Sequence, residues 1–174
     1  MDFEIEQRLI GPPARVQDAL LDPAFAAARA ALPKLGHAEL LEHQRDATTA
    51  RLRVRLRFTG PLAPAVTAVV DPARLTWVDD ASFDLMGLRA EHRVEADHYA
   101  DRLSCSYSSE LAPSGTGTRR TLRGMVKVRM LLVGGTVESA IVSGMREHAA
   151  AEAALLDSWL TPGSPRNGGG AASS

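Results

Sequence analysis

Along residues 51–58, RLRVRLRF, Arg51, Arg53, Arg55 and Arg57 alternate without a slip with Leu52, Val54, Leu56 and Phe58. A period of two predicts a β-strand with one wet face and one dry face. The same period runs through 2–10, where Phe3, Ile5 and Leu9 oppose Asp2, Glu4, Glu6 and Arg8. It returns at 88–96, with Leu88, Ala90 and Val94 against Arg89, Glu91, Arg93 and Glu95. In 119–130, Arg119, Thr121, Arg123, Lys127 and Arg129 oppose Leu122, Val126, Val128 and Met130. Further strands are predicted at about 37–45, 65–70, 74–80 and 101–112, the pair 65–70 and 74–80 being either one bent strand or two. The breaks between them carry turn chemistry: TGPLAP at 59–64, DPA at 71–73, DHYAD at 97–101 and PSGTG at 113–117. Such short connections favour antiparallel neighbours.

Helical periodicity occupies two other places. GPP at 11–13 ends the first strand and opens a short helix, because proline suits a first turn whose N–H has no partner. Asp22 can cap a second helix that starts at Pro23 and runs to about Leu32. After VGG at 133–135, a proline-free stretch over about 136–160 predicts one long helix. Glu138 lies in its first turn, where a carboxylate meets the positive end of the dipole. The predicted fold class is therefore α+β: a curved antiparallel sheet of six to seven strands around a long C-terminal helix, with two short helices after the first strand. The domain is expected to span 1–161, and the Gly/Ser/Pro-rich residues 162–174 to form a disordered tail.

Composition narrows the function classes. The 174 residues carry a net charge of −1, with 45% apolar and only 5% aromatic residues. A nucleic-acid binder usually carries a basic excess or stacking aromatics, and neither is present. The arginine row is thus read as a solvated sheet face, with an acidic protein partner or nucleic acid as alternatives. SGTG at 114–117 lies between two strands and lacks the following helix that a phosphate loop requires. A lone cysteine, Cys105, allows no internal disulfide and no paired-cysteine metal site; in phase with Leu103, Tyr107 and Leu111, it reads as a small core residue. No apolar run is long enough to span a bilayer, and the acidic N-terminal segment is unlike a signal peptide. A cytoplasmic protein without membrane insertion is expected.

The element order over about 1–160 resembles the START-like (SRPBCC, helix-grip) superfamily. FTGPLAPAVTAVVDPARLTWV at 58–78, DHYADRL at 97–103 and LVGGTVESAIVSGMREHAAAEAALL at 132–156 resemble, more closely, a bacterial family of unknown function within it. The superfamily resemblance implies a deep apolar pocket between sheet and C-terminal helix. Its members bind lipids, polyketides, hormones and aromatic intermediates, and some are cyclases or hydrolases. No catalytic motif of an enzymatic member matches here.

Candidate site residues follow from phase. At 100° per residue, Val137, Ile141, Met145, Leu155 and Trp159 share one side of the long helix, with His148 and Glu152 amid them and four apart. That pair is either a satisfied structural contact or a polar anchor inside a ligand pocket. His92 is in phase with Ala90 and Val94 and also points inward. Two imidazoles and a carboxylate make an adequate zinc set, but this spacing matches no metal motif, so neither metal nor cofactor is expected. Trp77, Tyr107, Leu56 and Phe58 complete the expected lining, whereas His37 and His43 are expected at the surface. Gly144, inside the helix, allows either close packing or room for a ligand. The expected function is binding or carriage of an apolar small molecule: a lipid, polyketide or aromatic compound. The alternatives are a cyclase- or hydrolase-like enzyme in the same pocket, or a protein-interaction domain whose cavity is filled by side chains.

Overall fold

The computed structural model describes residues 1–62, 64–68 and 70–163. The expected tail therefore lies, from 164 onward, outside the described residues. Strand β1 (Asp2–Leu9) leads through helices α1 (Pro13–Leu20) and α2 (Pro23–Ala28) and a 3-10 turn (Arg29–Ala31) into β2 (Leu35–Arg45) and β3 (Thr49–Phe58). A one-turn helix α3 (Pro64–Thr67) and a second 3-10 turn (Pro72–Arg74) precede β4 (Thr76–Asp84), β5 (Arg89–Ala96), β6 (Leu103–Ser114) and β7 (Gly117–Val128). Helix α4 (Gly134–Leu160) closes the fold, 27 residues and about 40 Å long. The strands form one antiparallel sheet in the order β1-β7-β6-β5-β4-β3-β2. This is the antiparallel sheet with a long C-terminal helix that the polar–apolar pattern predicts, and the helix grip that the resemblance implies.

Capping fixes the helix starts. Asp22 accepts from the Ala24 N–H at 2.9 Å with Pro23 in the first turn. Proline opens α1 without a side-chain cap. Helix α4 is tied to the sheet by polar contacts at both ends. The Glu138 carboxylate accepts from the Val128 N–H at 2.8 Å, and this bond holds its pKa below the ordinary carboxylate value. Near the other end Asp157 accepts from the Ile10 N–H at 2.9 Å. Between them Gln7 donates to the Ala149 carbonyl at 2.5 Å.

Two expectations need correction. The described residues among 65–70 do not form a strand: Pro64 begins a helical turn, and Asp71 caps the next turn through Ala73 N–H at 2.9 Å. β3 pairs directly with β4, so the connection between them needs no ladder of its own. The buried stripe of α4 is also rotated from the expected one. Val142, Ala149, Glu152, Leu156 and Leu160 lie at its centre, while Ile141, Met145, His148, Leu155 and Trp159 sit half-buried on a flank. The adjacent pairs Ile141–Val142 and Leu155–Leu156 offer two overlapping apolar stripes, and packing on the sheet selects one.

The arginine row behaves as predicted. Leu52, Val54 and Leu56 are buried, Phe58 is half-buried, and all four arginines face outward. Three of them meet acids: Arg51 pairs with Asp80 on the adjacent β4 at 2.7 Å, Arg53 with Glu95 on β5 at 2.9 Å and Arg55 with Asp97 just past β5 at 3.2 Å.

Candidate functional site

The concave side of the sheet holds apolar clusters with a charged cluster among them. Leu52, Val54, Leu56, Ala81 and Phe83 build one side beneath α2, with Trp77 and Leu155 against it. Phe3, Ile5, Cys105, Leu122 and Val126 build another beneath the first half of α4, with Val94, Tyr107, Ile141 and Met145 against it. Inner-face positions of β1, β4, β5, β6 and β7 also carry Gln7, Asp79, His92, Ser109 and Arg120, all buried. Glu152 reaches them from α4, and Arg29, 11% exposed at its side chain, from the turn after α2.

These groups pair with one another. Glu152 lies between two guanidiniums, 2.8 Å from Arg120 and 3.4 Å from Arg29. Arg29 also approaches Asp79 at 3.6 Å, and Arg120 donates to the Gln7 side-chain oxygen at 3.3 Å. Asp79 Oδ1 lies 3.1 Å from His92 Nδ1 and accepts from the Tyr107 hydroxyl at 3.4 Å. The His92 ring stacks on Tyr107 with centroids 4.3 Å apart and planes 9° from parallel. Gly124 makes room for this stack: a Cβ there would collide with the Ser106 carbonyl and the Tyr107 Cβ. His148, half-buried on the flank of α4, is 4.0 Å from Glu152.

Burial and pairing compete in the protonation of the cluster. Burial would raise the Glu152 pKa, but the charges of Arg120 and Arg29 overcome it and hold the carboxyl at about 2. Asp79 is likewise pressed upward by burial, and the His92 and Arg29 contacts carry it far below the ordinary carboxylate range. Burial would lower the Arg29 pKa, and Glu152 and Asp79 raise it instead. The formal charges of Arg29, Arg120, Asp79 and Glu152 therefore balance. His148 is shifted down by burial, which favours its neutral form. Burial, helped by Asp79, pushes the Cys105 thiol up to about 12, which fits a core residue rather than a nucleophile.

The balance leaves a donor over. Among the described residues, the buried Nε–H groups of Arg29, Arg53 and Arg120 have no aligned hydrogen-bond acceptor, but Arg29 Nε lies 3.4 Å from Glu152 and Arg53 Nε 3.4 Å from Asp80, which leaves Arg120 Nε as the one without a nearby carboxylate. Such a group is costly unless something else satisfies it. Around the cluster, Trp77, Val94, Tyr107, Ile141 and Met145 are only half-buried, although they lie on the sheet's inner face or on the flank of α4. A Cβ on Gly144, one turn from both Ile141 and His148, would meet no atom within 4 Å, so this glycine stands beside open space rather than a tight contact.

The structure thus brings His92, Tyr107 and Glu152 into one cluster, with His148 at its edge. Trp77, Ile141 and Met145 stand around it, Leu56 is core, and the ring of Phe58 turns toward Gly60. Gln7, Arg29, Asp79 and Arg120 are the members that sequence reasoning missed. Three carried a signal: Gln7 is in phase with Ile5 and Leu9, Asp79 with Ala81 and Phe83, and Arg120 with Leu122. Arg29, in an alanine-rich helix end, carried none. His37 and His43 are exposed, as expected. Among the described residues no three His, Cys, Asp or Glu side chains converge in a way that would hold a metal ion. No helix among them is long and apolar enough to cross a membrane.

Solved structures share this fold. The protein TTHA0849 from Thermus thermophilus superposes with a TM-score of 0.65 at 18% identity, covering 90% of this chain and 94% of the other. The Zhui aromatase/cyclase from Streptomyces sp. R1128 superposes at 0.61 with 12% identity, covering 93% of this chain and 96% of the other. Ara h 8.0201 does so at 0.58 with 12% identity, covering 90% and 97%. At these identities the likeness is one of fold. No curated protein matches the chain. The family described as "Protein of unknown function (DUF2505)" matches residues 4–160, nearly the whole described fold, and the chain belongs to that family.

Proposed function

We propose that this chain binds an apolar small molecule between α4 and the sheet, and that the ligand's polar end rests on the charged cluster. The fold also supports membership of the START-like superfamily. The observation that carries the reading is the buried cluster of Arg29, Arg120, Asp79 and Glu152, with the Arg120 Nε–H left without an acceptor, set among half-buried apolar side chains. An apolar site with a few placed polar groups is the usual form of a small-molecule pocket. Trp77, Ile141, Met145 and Tyr107 supply the apolar contact. The Arg120 Nε–H and His148 supply donors, Glu152 holds Arg120 and Arg29 in place, and His92 bonds to Asp79. Leu56 backs the wall. Because Arg29 and Arg120 are already balanced by Glu152 and Asp79, a neutral oxygen suits the site better than a carboxylate, which would add an unbalanced buried charge.

A second reading rests on Asp79, which accepts from Tyr107 and orients His92. An imidazole held by a carboxylate is a candidate acid–base group, and the aromatase/cyclase of the same fold gives this reading a precedent. In this case the ligand would be a substrate.

The test has two arms. Native mass spectrometry of the purified protein looks for a co-purified small molecule. Titration with the neutral fluorophore N-phenylnaphthylamine follows its emission and the quenching of tryptophan. The reading requires saturable binding of one probe per chain. A protein that takes up neither ligand nor probe is filled by its own side chains, and the reading fails.

A further inference from the structure

The turn between β7 and α4 presents two consecutive leucines to water. Leu131 is 94% exposed and Leu132 102%, whereas the leucines at 52, 56, 122 and 156 are all below 9%. The exposure is built in. Leu132 has φ +68°, a region that bulky residues rarely enter. The Val133 N–H donates to the Leu131 carbonyl at 2.9 Å, closing a γ-turn on Leu132, and the Gly134 N–H donates to the Met130 carbonyl at 3.1 Å. A γ-turn with positive φ at its centre is strained, and glycine would relieve it. A leucine held there at a conformational cost, with no contact to repay it, points to a surface that the tip meets.

The neighbouring charges say what kind of surface. A cleft of about 360 Å³ beside the tip is lined by Arg102, Arg129, Met130, Leu131 and Val133. Arg129 is anchored there by two bonds, its N–H to the Arg102 carbonyl at 2.8 Å and its guanidinium to the Asp101 carbonyl at 3.3 Å. Lys127 is exposed nearby, but it is 3.6 Å from the Glu138 carboxylate. The acids of this corner are Asp101, which is 3.8 Å from Arg102, and Glu138, which is buried and already bonded to Val128. Two projecting apolar side chains beside exposed cations match a bilayer better than a folded protein surface: acyl chains deform around a point, and phosphates meet the guanidiniums.

We infer that the β7–α4 turn is a docking tip for an anionic phospholipid surface, with Leu131 and Leu132 entering the apolar layer and Arg102 and Arg129 meeting lipid phosphates. The tip lies at the end of the sheet where β3, β5 and β7 finish and where α4 begins. That is the end toward which Val94 and Ile141 stand. An apolar ligand leaving a bilayer there would travel a short way into the proposed site, but the docking stands on the tip alone.

The experiment is co-sedimentation of the full chain with phosphatidylcholine vesicles, with and without added phosphatidylglycerol. Binding to the anionic vesicles is expected, falling as salt is raised. The Leu131→Ser, Leu132→Ser double variant should lose it by at least about tenfold with an unchanged melting temperature, because neither side chain packs against the fold. The Arg102→Gln, Arg129→Gln variant should lose the preference for anionic lipid, by about fivefold for each charge removed. Failure of the wild type to sediment with anionic vesicles overturns the inference. So does sedimentation that survives the serine substitutions. Self-association that disappears in the serine variant, without vesicle binding, would make a second copy of the chain the occupant and also overturn it.

Discussion

Two sets of arginine–carboxylate pairs stand on opposite faces of the same sheet. On the convex face Arg51, Arg53 and Arg55 meet Asp80, Glu95 and Asp97, and water reaches the set. On the concave face Arg29 and Arg120 meet Glu152 and Asp79, at side-chain exposures of 5% to 11%. The contact distances overlap, but the energetics do not. An exposed pair gains little, because water and salt screen it and two long side chains must be ordered. A buried pair has given up hydration, so each member depends on the other, and removing one strands a charge in a medium that cannot solvate it. The convex set is a way to be soluble. Hydrocarbon of the same volume would stabilise the concave space at least as well, and the proposed ligand site would give the concave set a use.

The largest expected effect comes from breaking the concave set. Glu152→Gln should destabilise the fold by about 3 kcal/mol or more, some 6–12 °C in Tm, because it leaves two guanidiniums sharing one distant carboxylate. Thermal denaturation measures it. The double variant Glu152→Leu, Arg120→Met should cost less than either single change, since it removes both charges together; equal or additive losses would show that the pair does not act as a unit.

Acid should separate the sets next. The Glu152 pKa is depressed to about 2 from its ordinary 4.5. A depressed carboxylate contributes stability that is complete above the unfolded value and is lost as pH falls toward the folded one. Denaturant titrations should therefore show stability falling between about pH 4.5 and pH 2, with a shallower fall in Glu152→Gln. His148 acts higher. Burial lowers its pKa below the ordinary 6.5, so the unfolded chain takes up a proton first and stability declines as pH drops below about 6.5. His148→Gln should remove that shallow limb and leave the lower one.

The convex set gives the smallest effects. Glu95→Gln, which removes the partner nearest Arg53, should change stability by less than about 1 kcal/mol. Raising salt toward about 1 M should erase even that difference while leaving the cost of Glu152→Gln in place. If salt reduced both costs alike, the concave cluster would be wetter than its burial indicates.

The convex set was legible in the sequence and the concave one largely was not, for a physical reason. A solvated face declares itself by repetition: four arginines in step with four apolar residues leave one strand reading. A buried polar cluster is assembled from single exceptions. Gln7, Asp79 and Arg120 each interrupt an apolar face once, and their partners lie on other elements, so no local pattern says that the exceptions meet. His92 and Glu152 could be found because histidine and glutamate at inner positions are conspicuous. Their partners could not, because pairing is set by strand order. The same logic explains residues 65–70, where β-prone valines gave way to proline-started turns, and α4, where two apolar stripes overlap and only the sheet decides between them.

The claim that the space beside the cluster is a ligand site is tested most directly by filling it. Ile141→Trp enlarges a half-buried side chain on the flank of α4 without touching Arg29, Asp79, Arg120 or Glu152. Titration of this variant and the wild type with N-phenylnaphthylamine, alongside their melting curves, separates occupancy from stability. Because Ile141 packs only at the half-buried edge of its cluster, the variant should melt within about a few degrees of wild type, and it should bind the probe at least about tenfold more weakly, a loss of about 1.4 kcal/mol. Equal binding by a stably folded variant would contradict it.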